Sequence, residues 1–342
     1  MTQTWYPLTG ALKRRGRPDG GSRDSLVPGT YKPNATNTGL LNDPARPMTV
    51  IDGNVIMTTN GQKLVDTIVN GFVEMRGVDQ LVENCHIRGP VGQTVPPGGS
   101  KGLIHCSSAG TLRATIKDTL IECQTPQYGW DAIQGHDYTA LRVRTRRTTD
   151  GFGVFNATAP DTPVNVTILS CWVENMTKFY PDGGAHVDGT HNDCIQLQGG
   201  VGGIVIRGNL LQGVIDQNTG NTGGLNVDGT GTPLSPACHQ TNSCIQLNRN
   251  VGELSGMVCE DNWMYGGQIA VNGTAISTAV TLGSFQRNKF DHDQYFDVAQ
   301  QGTNTTQTIR IHPTPTCTIP ASGANANVYE DTSAPVLVRR AT

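Results

Sequence analysis

The sequence predicts an all-β chain wound into a right-handed parallel β-helix, a solenoid with loop insertions. Three observations predict it. The composition is rich in turn residues and poor in charge: 42 glycines, 15% charged residues and a net charge of −3 in 342 residues. That balance favours short strands and many bends over helices. From about residue 70 a pattern of apolar-x-apolar-x-x-turn residue-x-apolar repeats, and repetition of this kind decides architecture before any single motif does. Between the repeats no segment of helical length carries a 3.6-residue period, so the crossover helices of a doubly wound sheet are excluded. Parallel strands joined without helices, at a period of roughly 25 residues, must stack coil on coil. Each coil then buries its apolar side chains against the next.

Residues 1–32 stand apart, with Lys13, Arg14, Arg15, Arg17 and Arg23 set among Gly and Pro. They are expected to form a solvated arm or an attachment segment. The predicted β-helix occupies residues 33–299. Thr49–Ile56 and Leu64–Ile68 have short-strand character. The repeat then places its turn residue at Cys85, Thr119, Arg146, Cys171, Asn209, Asn262 and Asn288. A second ladder interleaves with it: Gly102-Leu-Ile-His105, Asp131-Ala-Ile-Gln134, Asp150-Gly-Phe-Gly153, Asp193-Cys-Ile-Gln196, Ser243-Cys-Ile-Gln246 and Gly267-Gln-Ile-Ala270. Stacking puts Ile133, Ile195 and Ile245 in one interior column and Gln134, Gln196 and Gln246 in an outward amide ladder. It also puts Cys194 and Cys244 in one column.

Two intervals are long: 38 residues from Cys171 to Asn209 and 53 from Asn209 to Asn262. The extra residues, roughly 178–192 and 214–242, fall between a first-ladder strand and a second-ladder strand. They should emerge at one corner on neighbouring coils, where a regular rod would carry a binding site. Residues 300–342, punctuated by Pro313, Pro315, Pro320 and Pro335, lose the repeat. They are expected to cap the open end or to serve oligomerisation.

The near-neutral charge argues against binding duplex nucleic acid. No run reaches the roughly 18–20 apolar residues of a membrane span. The first residues, Met-Thr-Gln-Thr-Trp-Tyr, lack the basic segment and apolar core of a secretory signal. Nine cysteines without CxxC pairs are expected to be mostly free and buried, in a protein made in a reducing compartment.

Several elements occur in a recognisable order: Pro33-Asn-Ala-Thr-Asn-Thr-Gly39, Val50-Ile-Asp-Gly53, Val82-Glu-Asn-Cys-His-Ile-Arg-Gly89, Asp150-Gly-Phe152, Asp188-Gly-Thr-His-Asn-Asp-Cys-Ile-Gln196, Ile204-Val-Ile-Arg-Gly-Asn209 and Val328-Tyr-Glu-Asp-Thr-Ser-Ala-Pro-Val336. In this the chain resembles the right-handed β-helix proteins that actinobacterial bacteriophages encode as minor tail proteins and tailspikes, and some actinobacterial genomes as secreted proteins, over roughly residues 33–336. The resemblance implies pectate-lyase-like architecture, frequent trimers, attachment to other tail proteins through the N-terminal arm, and action at the host surface as part of the virion tail. It implies no established catalytic set. The lack of a secretory signal agrees with a virion protein assembled in the host cytoplasm.

The stretch from Asp182 to Gln198 carries the most chemistry. Asp182, His186, Asp188, His191 and Asp193 are the candidate catalytic residues. A glycosidase needs two carboxylates, and a lyase needs a base with a cation, Ca²⁺ or Arg, on the uronate. Asp131, Asp150 and Asp193 begin equivalent strands, so they can stack. The competing reading is structural, because Asp-Gly and His-Asn-Asp are ordinary turn chemistry. No cofactor is indicated; Ca²⁺ would serve the lyase reading, and metal binding by these Asp and His residues is a separate alternative. The polygalacturonase pattern is absent apart from the fragment Gly135-His-Asp137. Glycan binding without cleavage needs planar polar groups and aromatic faces. Its candidates are Gln134, Gln196, Gln246, Trp172, Tyr180, Trp263 and Tyr265. The leading expectation is a trimeric phage tail protein that binds host envelope polysaccharide. The alternatives are a depolymerase, hydrolase or lyase, and a purely structural tail-tip component.

Overall fold

The computed structural model describes residues 23–43, 45–91, 101–179, 190–213, 241–292, 308–336 and 338–340. Their strands form three parallel sheets. The first runs over ten strands from Thr49–Asp52 to Val328–Tyr329. The second runs over ten from Val55–Met57 to Val338–Arg340, and the third over nine from Lys63–Val65 to Thr316–Thr318. Each coil supplies the sheets in the same order, so the chain is a right-handed parallel β-helix. Among the described residues the one helical segment is a 3-10 turn at Arg23–Ser25, and no helix is long and apolar enough to cross a membrane.

The interior is built from columns. In the second sheet Ile104, Ile133, Phe152, Ile195, Ile245, Val271 and Ile309 stand in successive register. All are fully buried, each worth roughly 1.5–3 kcal/mol of apolar burial. The expected isoleucine column is therefore present, with Phe152 between Ile133 and Ile195. Eight cysteines fall among the described residues. None forms a disulfide with another described cysteine, and all but Cys317 are buried. Cys194 and Cys244 lie on neighbouring coils, their thiols in contact, and burial pushes the Cys194 thiol far up.

The corner between the third and first sheets explains the repeat. Asp66, Asn84, Asp118, Arg142, Ser170, Gly208, Asp261 and Arg287 all adopt left-handed backbone, with φ from 48° to 66°. The residue after each enters one column that reads Thr67, Cys85, Thr119, Val143, Cys171, Asn209, Asn262 and Asn288. This corrects the assignment of Arg146 as a turn residue. Arg146 ends the strand Arg144–Arg146, and Val143 holds the turn. An apolar side chain there extends the apolar-x-apolar pattern and shifts the apparent register by three.

The column also continues past residue 300, ending in Asn327. The strands Ile309–Ile311, Thr316–Thr318, Val328–Tyr329 and Val338–Arg340 extend all three sheets. The segment expected to lose the repeat thus forms the last coil. Pro313 and Pro315 sit in the bend between two of its strands, where a missing N–H does not interrupt a ladder.

Residues 23–43 pack along the same corner. Arg23 donates to the carbonyl oxygens of Gly39 and Thr36, both at 2.8 Å. The Leu41 N–H donates to Asn84 Oδ1 at 2.8 Å. Gly29 lies against Gly208 and Asp261, and Lys32 reaches Tyr265 and Glu330. The part of the predicted arm from Arg23 onward is thus a strap laid over many coils. Lys13, Arg14, Arg15 and Arg17 lie outside the described residues.

Candidate functional site

The corner between the first and second sheets is the irregular one. Trp172–Val173 leads to Asp193–Leu197, and Leu210–Gly213 leads to Ser243–Leu247. Both long insertions therefore depart at this corner on consecutive coils, as their spacing predicts. Residues 214–240 lie outside the described residues, as do Tyr180, Asp182, His186 and Asp188. His191 is exposed and Asp193 is buried.

At this corner three aspartates stack. The Asp150 N–H donates to Asp131 Oδ1 at 3.3 Å, and the Asp193 N–H donates to Asp150 Oδ1 at 2.8 Å. The Ser243 hydroxyl and the Asn242 amide complete the run by donating to Asp193 Oδ1, at 2.5 and 3.1 Å. Asp131, Asp150 and Asp193 are 3%, 7% and 1% exposed. Asp193 Oδ2 has no hydrogen-bond partner among the described residues.

Burial dominates the electrostatics. It pushes the Asp150 carboxyl well above the usual range, with Asp131 and Asp193 adding repulsion. Burial likewise raises Asp193 to about 7, against the pull of its bonds from Ser243 and Asn242. Like charges stacked in a dry corner favour the protonated form.

A stability effect follows. The fold disfavours ionised Asp193, so stability present below its ordinary 3.8 is lost as pH rises toward 7. Asp193→Asn keeps an acceptor for Ser243 and Asn242 and carries no charge. It should exceed the wild type in stability by ~2 kcal/mol at pH 8 and by little at pH 4. Urea unfolding at the two pH values measures this, and a pH-independent difference would refute the raised carboxyl.

The outer face of the second sheet carries the predicted amides. In register it reads Glu74, His105, Gln134, Gly153, Gln196, Gln246, Asn272 and Arg310. Gln196 and Gln246 are neighbours, and Gly153 separates them from Gln134. Gln134 donates to Asp131 Oδ2, while its Oε1 accepts from the Gly102 N–H at 3.1 Å. Gln196 accepts from Gln198, and Gln246 accepts from Asn242 at 3.0 Å.

The described aromatic candidates, Trp172, Trp263 and Tyr265, stand elsewhere. Trp172 and Trp263 share a column two coils apart, as expected, but on the first sheet. Arg144 lies 4.2 Å from the centre of the Trp172 ring. Trp263 is 5% exposed, and its indole donates to Glu330 at 3.1 Å. Lys32 covers Tyr265 at 4.5 Å from the ring centre. The structure thus does not bring these aromatics to the amide face.

Two residues on the amide face escaped sequence reading. Phe155 is partly exposed beside Gly153. Gly153 occupies the position that Gln holds in three rungs of the second ladder, and that break was visible in the sequence. Among the described residues no group of three His, Cys, Asp or Glu side chains is placed to hold a metal ion. No protein-family model, curated protein or solved structure matches this chain.

Proposed function

We propose that this chain is a phage tail protein that binds host cell-envelope glycan along the outer face of its second sheet. One observation carries the binding reading. An in-register ladder of amides, Gln134, Gln196, Gln246 and Asn272, interrupted once at Gly153 and partly exposed at Gln196 and Asn272, borders the corner from which the two longest insertions leave. Pre-positioned planar polar groups beside adaptable loops suit a polysaccharide. The tail assignment rests on the resemblance over residues 33–336, and the proposal includes a homotrimer attached through the N-terminal arm. Titration of the purified protein with soluble host envelope polysaccharide tests it. Saturable binding that survives Asp193→Asn is expected, and no binding to intact host cells or to the polysaccharide would sink it.

A depolymerase is the second reading, favoured by one observation. Asp193 holds a proton near neutrality with one oxygen free of partners among the described residues, which suits a general acid. Under this reading the wild type releases oligosaccharides from host wall glycan and Asp193→Asn does not. Release at wild-type rate by the variant would remove Asp193 from the chemistry.

A further inference from the structure

Gly153 sits mid-strand, in Phe152–Val154. A glycine there weakens a strand, and it often marks the close approach of a ligand or another chain. The backbone does not demand it. Gly153 has no positive φ, and a Cβ would meet the Gln134 stem at Cγ, 3.2 Å away, the Phe155 ring at 3.7 Å and the Ile133 carbonyl oxygen at 3.8 Å. Its neighbour Gly151 differs: a Cβ there would stand 2.3 Å from the Cys194 carbonyl oxygen. Gly151 is required by packing, whereas Gly153 leaves room for the Gln134 stem and the Phe155 ring to close over the strand.

Phe155 itself is partly exposed, an apolar ring on a face whose central rungs carry Gln134, Gln196, Gln246 and Asn272. His136 precedes it by one coil and Gln198 follows it by one. His136 is 3% exposed, its Nδ1 lies 2.9 Å from Asp137, and its Nε2 has no partner among the described residues. A buried ring nitrogen without a partner calls for one. An aromatic ring flanked by Gln134, Gln196 and an unsatisfied imidazole combines an apolar floor with directional polar groups, which is what a sugar ring requires.

Charge sets the class of sugar. The strands Trp130–Gly135, Phe152–Val154, Asp193–Leu197, Ser243–Leu247 and Ile269–Gly273 contain no Lys or Arg. Asp131, Asp150 and Asp193 lie at their start. An anionic uronate or phosphate-bearing glycan would meet no cation on these strands, whereas Lys101 and Arg310 stand on the strands that flank them. We infer that Phe155, with Gln134, His136 and Gln196 around it, forms a stacking subsite for one ring of a neutral glycan, with Gly153 letting the Phe155 ring lie close over the strand.

This inference rests on the glycan-binding reading, and the experiment separates the two. Wild type, Gly153→Gln and Phe155→Ala are titrated with neutral oligosaccharides (glucan, mannan, galactan and arabinogalactan fragments), with a polyuronate, and with host envelope polysaccharide. Thermal unfolding of each variant checks that the fold is kept, and Gly153→Ala serves as the milder variant if Gly153→Gln unfolds. Expected is binding of at least one neutral fragment, weakened about tenfold in both variants, as loss of one ring contact implies. Wild-type binding left within twofold by both substitutions overturns the subsite and leaves glycan binding standing. Binding of polyuronate in preference to all neutral fragments overturns the assigned class. Failure of the wild type to bind any probe removes both readings together.

Discussion

Asn262→Ala lowers the stability of the β-helix by about 3–5 kcal/mol, with the loss read from urea unfolding. The estimate follows from counting partners. Asn262 is fully buried. Its Nδ2 donates to the Ile206 carbonyl at 3.0 Å and to Asn288 Oδ1 at 2.8 Å. Its Oδ1 accepts from the Asn209 N–H at 3.0 Å and from Asn209 Nδ2 at 2.9 Å. Alanine removes both roles, leaving the Asn209 N–H and the Ile206 carbonyl buried without these bonds. Each such loss costs ~1–3 kcal/mol. The neighbours amplify the effect, because Asn209, Asn288 and Asn327 repeat the arrangement, each linked to the next. Asn262→Thr should cost less. Thr119 shows why: in the same column its hydroxyl donates to the Lys117 carbonyl at 2.9 Å. Equal losses for alanine and threonine would mean that the amide bonds carry little of the stability.

That column was legible in the sequence because asparagine at Asn209, Asn262 and Asn288 recurs one position after a bend, between apolar pairs. The signal failed where chemistry and position separate. Val143 fills the turn with a side chain that reads as strand, so Arg146 took its place. Asn327 sits among prolines and residues of low apolar content, so the last coil read as a cap. The interior column of Ile133, Ile195 and Ile245 was legible because burial on both sides of a stacked strand admits few residue types. The three-sheet cross-section was not, since strands such as Trp172–Val173 and His86–Ile87 are two residues long and leave almost no period to detect.

The site divided along the same line. Asp131, Asp150 and Asp193 could be stacked from spacing alone, because each opens the same rung. Their electrostatic character could not, because it comes from burial by residues remote in sequence. The aromatic candidates were chosen by type. Spacing correctly aligned Trp172 with Trp263, but neither spacing nor type reveals that a strap from residues 23–43 and Glu330 occupy Trp263 and Tyr265. Phe155 lay in plain view beside the broken Gln pattern at Gly153, and it was the glycine that marked it.

Asp118→Ala costs about 3–5 kcal/mol and loosens the strap. Asp118 is fully buried, and Arg142 is 2% exposed. Arg142 grips the carboxylate with Nε at 2.7 Å and Nη2 at 2.9 Å, and also donates to the Arg23 carbonyl oxygen at 3.1 Å and to Asp24 at 2.9 Å. Arg23 approaches the same carboxylate at 3.5 Å. Removing Asp118 takes from the buried Arg142 its two-point carboxylate partner and leaves it Asp24 and the Arg23 carbonyl oxygen, and that penalty exceeds what the pair itself contributes. The double change Asp118→Asn with Arg142→Gly should therefore cost less than the two single changes added, and glycine suits Arg142's φ of 55°. Limited proteolysis within residues 23–43 should accelerate in Asp118→Ala alone, and unchanged cleavage would show that the strap is held elsewhere. The strap lies on the corner shared by the third and first sheets, the corner the second sheet does not form. Under the proposed function, loosening it should leave glycan binding on the second sheet intact and weaken attachment through the arm. A variant that loses the strap and the glycan together would show that the two faces are coupled through the core rather than separated by it.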